Sequence, residues 1–99
     1  MPLHAVYLGD ELSAAGFRLA GVSARVPPGG DETEWLHSAM REAKIVLLGA
    51  RCATSIPAEE LEAALASISP LVMIVPEFDG RPTPGDPASR IRRLLGVEA

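Results

Sequence analysis

A single cysteine, Cys52, leaves this chain no internal disulfide and fits a reducing cytoplasm. No apolar run exceeds strand length, so a membrane-spanning helix is not expected, and no secretory apolar stretch follows Met1. Positive charge is in the minority. Nine Lys and Arg stand against thirteen Asp and Glu, for a net charge of -4, and the pI is near 5.0. That balance argues against nucleic acid or an anionic membrane surface as the main partner. Repeats and low-complexity tails are missing. So are a glycine-rich phosphate loop, a cluster with metal-ligand spacing and an evident nucleophile, which removes most routes from residue type to catalysis.

What is present fits one soluble domain: 99 residues, 47% hydrophobic and 22% charged. Such a chain buries about two thirds of its unfolded surface and has a modest stability margin. Nine prolines and nine glycines cluster between periodic segments as punctuation. The pattern centres on Val6 to Val22. An apolar run ends in Gly9-Asp10-Glu11, Leu12, Ala15, Gly16 and Leu19 recur at helical spacing, and a second strand begins at Val22. This is a βαβ unit in which Asp10 is placed to cap the helix, Glu11 suits its dipole and Gly21 closes it.

The strand from Val22 to Val26 alternates apolar and polar residues, as expected at a sheet edge. After Pro27 to Gly30, Asp31-x-x-Glu34 resembles a capping box, and Leu36, Ala39, Met40 and Ala43 form the apolar stripe of a second helix. Lys44 to Leu48 and Leu71 to Val75 are continuous apolar strands, the first expected at the sheet centre. Between them a helix starts near Ser55 to Pro57, carries Leu61, Ala64, Leu65 and Ile68 on one side, and stops at Pro70. Asp86-Pro87 opens a final amphipathic helix, with Gly96 behind it. The expected fold is a single three-layer α/β domain, receiver- or flavodoxin-like, with a four-stranded parallel sheet in the order 2-1-3-4. Residues 1–76 form the βα core, 77–86 a hinge loop and 87–96 the C-terminal helix.

At the carboxyl ends of the strands this fold gathers Gly9, Asp10, Glu11, Gly49, Arg51, Cys52, Glu77 and Asp79. Four carboxylates there disfavour an anion pocket. Asp10 and Glu11, with Asp79 as a further candidate, also resemble the metal corner of a response-regulator receiver. That resemblance implies an alternative function: a stand-alone signalling module binding a divalent cation. A receiver, however, has an aspartate after its third strand, where this chain has Gly49-Ala50-Arg51, and a fifth strand with a lysine. The simpler reading of Asp10 and Glu11 is helix capping. Cys52 has neither His4 nor His37 placed by sequence as a base and reads as a small packed residue. His37 reads as a solvated side chain and Trp35 as core edge. Phe17 lies off the first helix's apolar stripe, where core edge and partner anchor are both open. Arg81, Arg90, Arg92 and Arg93 suit either dipole compensation or an acidic partner.

Leu8-Gly9-Asp10-Glu11 and Gly16-Phe17-Arg18-Leu19-Ala20-Gly21-Val22 together resemble the N-terminal signature of the F subunits of V-type and A-type rotary ATPases. Pro70 to Pro76, a Gly80-containing loop and Ser89 to Val97 look like that family's closing strand and C-terminal helix. Arg51 to Ser55 departs from the Thr-Glu-containing acidic stretch common there. The resemblance implies a non-catalytic central-stalk protein, without a cofactor, bound to the coiled coil of the D subunit near the nucleotide-binding head. Such a protein is cytoplasmic and peripheral to the membrane, and helps couple ATP hydrolysis or synthesis to proton or sodium transport. The resemblance also implies partner contacts by Ile91, Leu94 and Leu95 as apolar residues and by Arg90, Arg92 and Arg93 as polar ones, and Phe17 and Arg18 are the candidate partner-binding residues on the first helix.

Overall fold

The computed structural model describes residues 3–77. Four strands, β1 (Leu3–Leu8), β2 (Ser23–Arg25), β3 (Ala43–Gly49) and β4 (Leu71–Val75), form one sheet in the order β2-β1-β3-β4. Every pairing is parallel. The expected order and the central place of β3 therefore hold, and β2 and β4 are the edges. Four helices join the strands: α1 (Glu11–Leu19), α2 (Glu32–Glu42), α3 (Ala50–Thr54) and α4 (Ala58–Leu65). The helix expected over 87–96 and most of the 77–86 hinge lie outside the described residues.

The sheet is covered on both faces because alternate strand residues point to opposite sides. Val6, Leu8, Val46, Leu48 and Val72 meet Leu36 and Ala39 of α2, Ala53 of α3 and Ala64 of α4. Tyr7 and Ala24 face the other way, against Ala14 and Phe17 of α1. Each large aliphatic side chain buried in the first cluster contributes about 1.5–3 kcal/mol. The second cluster is smaller and depends on its two aromatic rings.

α1 begins where Asp10 accepts a bond from the Ser13 N–H at 3.1 Å and ends at Gly21, whose φ of +88° suits glycine. The Gly21 N–H donates to Arg18 O, and the Val22 N–H to Phe17 O, both at 3.0 Å. These are the two bonds of a Schellman stop. The start of α2 differs from expectation. Asp31 stands at the N-cap but makes no side-chain cap bond, and the Gly30 N–H donates to Glu32 Oε1 at 2.8 Å instead.

Two further expectations are corrected. The stripe of Leu12, Ala15 and Leu19 faces outward, with Leu12 62% and Leu19 91% exposed. The face turned to the sheet is Ser13, Ala14 and Phe17, with the Phe17 ring stacked on Tyr7. The chain after β3 is also two helices rather than one. α3 follows Gly49 at once and buries Ala50 and Ala53, and Pro57 caps α4. Because α4 ends at Leu65, Ile68 falls beyond it and is 92% exposed.

Candidate functional site

Two surfaces come from the residues singled out by sequence: the rim at the carboxyl ends of β1, β3 and β4, and the outer side of α1. At the rim, Tyr7 is fully buried and its hydroxyl lies 3.4 Å from Asp10 Oδ1 and 3.4 Å from Glu77 Oε2. The Ser13 hydroxyl donates to the same Glu77 oxygen at 3.5 Å. These bonds are long for hydroxyl donors. The tighter contact is from the Arg51 N–H at the start of α3 to Glu77 Oε1, at 2.8 Å. Glu77 is only 6% exposed, so β1, α1, α3 and the end of β4 meet at one carboxyl group.

Glycine makes this convergence possible. A Cβ at Gly9 would run into the Tyr7 hydroxyl, and one at Gly49 would sit 2.8 Å from it and 3.2 Å from Glu77 Oε1. The arrangement moves each proton equilibrium. Burial raises the Glu77 carboxyl above its usual range, and the adjoining Asp10 raises it further, against the pull of the Arg51 N–H. Burial works on Asp10 too, but hydrogen bonding with Glu77 and with Ser13, whose N–H donates to it, outweighs that, so Asp10 lies well below the carboxylate range. Burial also raises the Tyr7 phenol, opposed by a bond with Ser13 and reinforced by both carboxyls. The two shifts run in opposite directions: Asp10 holds its charge, and Glu77 its proton, more readily than an ordinary carboxyl group.

Asp10 and Glu11, the pair expected to bind a cation in the receiver alternative, do not act together. Glu11 turns outward to Arg18 at 2.9 Å, while Asp10 turns inward to Ser13 and Glu77. Among the described residues no three His, Cys, Asp or Glu side chains are grouped to hold a metal. Asp79 lies outside those residues. Cys52 packs against the larger core cluster, and burial, then the charges of Glu32 and Glu77, push its thiol up to about 12, which disfavours nucleophilic chemistry near neutral pH.

On α1, Phe17 stacks on Tyr7 with ring centroids 4.4 Å apart, so its ring seats the helix on the sheet. Arg18 donates through Nε and Nη2 to the Ala24 carbonyl, at 3.2 and 3.1 Å, and ties α1 to β2. Outside these two run the exposed Leu12, Ala15 and Leu19. Arg90, Ile91, Arg92, Arg93, Leu94 and Leu95 lie outside the described residues. Trp35 is half-buried against the core, as expected of a core edge, and exposed His37 pairs with Glu60 at 2.9 Å. An open groove beside α2 is lined by Arg25, Glu34, Trp35, His37, Ser38 and Arg41, a mixture of both signs.

Sequence reasoning placed Asp10 and Glu77 on the rim but missed Tyr7 and Ser13. A tyrosine in the middle of an apolar strand, with glycines ending β1 and β3, was the available signal, because a buried phenol needs a polar partner. No helix among the described residues is long and apolar enough to cross a membrane. No curated relative matches the chain. A match to the ATP synthase (F/14-kDa) subunit family runs over residues 5–94, through the βα core and the segment beyond it, and the chain belongs to that family.

Proposed function

We propose that the chain is a non-catalytic rotor component in the central stalk of a V/A-type ATPase or ATP synthase. It binds the coiled coil of the D subunit and helps couple ATP hydrolysis or synthesis to proton or sodium transport, from a peripheral, cytoplasmic position. Membership in the ATP synthase (F/14-kDa) family supports a place in the complex. The observation that carries the partner reading is the outward stripe of α1. Leu12, Ala15 and Leu19 lie at helical spacing on the solvent side of a helix whose inner face is already seated, and this is the surface that a second helix covers. Arg18 and Glu11 flank the stripe as an exposed pair. Phe17 acts from below by fixing the helix on Tyr7, and Arg90, Ile91, Arg92, Arg93, Leu94 and Leu95 complete the contact from the C-terminal segment.

The test is co-expression with a D-subunit coiled-coil protein, followed by size-exclusion chromatography. Wild type, a Leu12→Ser/Leu19→Ser variant and a chain truncated after Pro84 are compared. A one-to-one complex, weakened by the double substitution and by the truncation, is expected. If wild type forms no complex, the rotor reading fails.

A further inference from the structure

We propose that Asp10 and Glu77 hold one proton between them and act as a pH-sensitive latch, tying the exit of β4 to the N-terminus of α1. The latch is built from the rim alone and does not require the rotor reading. Hydrogens are its first constraint. Both carboxyl groups reach the one Tyr7 hydroxyl, each at 3.4 Å, and neither is among the ion pairs formed by the described residues. Donors to them among the described residues include the Tyr7 and Ser13 hydroxyls, at 3.4 to 3.5 Å, and the Ser13 and Arg51 N–H groups. The phenol has one hydrogen and lies equally far from an oxygen of each carboxyl group. It therefore cannot serve both. A carboxyl proton on Glu77 supplies the missing hydrogen and removes the repulsion between two charges in a desolvated site.

The surroundings place the proton. The Asp10 oxygens face the N-terminal turn of α1, where the Ser13 N–H and the helix dipole favour a negative charge. Glu77 is nine-tenths buried between Tyr7 of β1 and the Arg51 backbone of α3, and Cys52 is close enough for the charge of Glu77 to raise its thiol. Glu11, the remaining acid of that turn, is directed away to Arg18. Titratable groups thus face the pair from β1 and α3 in the Tyr7 phenol and the Cys52 thiol, while Arg51 donates to Glu77 through its backbone N–H. Loss of the proton leaves two adjacent carboxylates at the point where the chain leaves the sheet.

The experiment is a pH titration of ¹⁵N-labelled full-length chain between about pH 4 and 9, with hydrogen exchange measured across the same range. The Arg51 amide reports Glu77 and the Ser13 amide reports Asp10, each through the bond it donates. Both amides are expected to shift together in one transition above the ordinary glutamate value of 4.5. The Glu77 amide is then expected to exchange faster above that transition. Glu77→Gln supplies a permanent hydrogen of the same shape and should flatten both responses, and Asp10→Asn should move the Arg51 transition down towards an ordinary glutamate. An Arg51 amide that does not titrate in this range, or a transition that survives in Glu77→Gln, overturns the shared proton. Exchange at Glu77 that does not change with the titration overturns the latch.

Discussion

Gly9 shows how much of the rim depends on a missing atom. The Tyr7 hydroxyl occupies the space a side chain would take, so Gly9→Ala must displace the ring on which Phe17 and both carboxyls rest. Overpacking of this kind costs about 1–3 kcal/mol, and thermal melting should fall by roughly 4–8 °C for each kcal/mol. The carboxyl pair gives its own pH signature. Glu77 is raised in the folded chain, so its contribution is complete below the unfolded value of 4.5 and is lost as pH rises through the folded value. Asp10 is lowered, so its contribution is complete above the unfolded value of 3.8 and is lost as pH falls through the folded one. The pair therefore stabilises most between 3.8 and 4.5. Chemical denaturation over a pH series should show wild type losing stability above that window, while Glu77→Gln does not.

At the scale of elements, α1 separates two duties on opposite faces. Phe17 is part of the packing beneath it, and Phe17→Ala should cost about 3–5 kcal/mol, or somewhat less because the ring is only partly buried. Leu12 and Leu19 are outside, so Leu12→Ser and Leu19→Ser should each change stability by no more than about 0.5 kcal/mol and still weaken assembly with the coiled coil. Urea denaturation of the three variants beside the co-elution assay tests that division. If the double serine variant unfolds the isolated chain, the stripe is part of the packing and the proposed interface is wrong. In α3 the balance differs. A five-residue helix spans too little chain to show periodicity, and the short Ala50–Thr54 segment is held by burial of Ala50 and Ala53 rather than by propensity.

For the molecule as a whole, the two apolar clusters lie on opposite faces of one sheet and share its strands: Val6 and Leu8 of β1 face one, and Tyr7 the other. A chain of this size should then unfold in one cooperative step. Fluorescence of Trp35, which packs against the larger cluster, and near-ultraviolet absorbance of Tyr7, which anchors the smaller, should give coincident urea transitions. Separate midpoints would mean that α1 and its aromatic stack melt independently of the rest. A single transition also has a consequence for assembly, since the face offered by α1 would persist only while the entire sheet does.

The alternation of apolar runs with helical periods was enough by itself to determine the four strands, the parallel sheet and its order, though not the short α3, because a right-handed crossover and a wholly apolar central strand leave few arrangements. The Leu8–Glu11 and Gly16–Val22 strings likewise carried the family, which the match over residues 5–94 shows. Only the tertiary structure decided which side of α1 looks inward. Periodicity marks an apolar stripe without saying what covers it, and here Phe17 stacks on the buried Tyr7 while Leu12 and Leu19 face solvent. It alone also decided that Asp10 meets Glu77 rather than Glu11. Residues far apart in the chain come together only at the shared end of parallel strands, where burial raises Glu77 and hydrogen bonds lower Asp10.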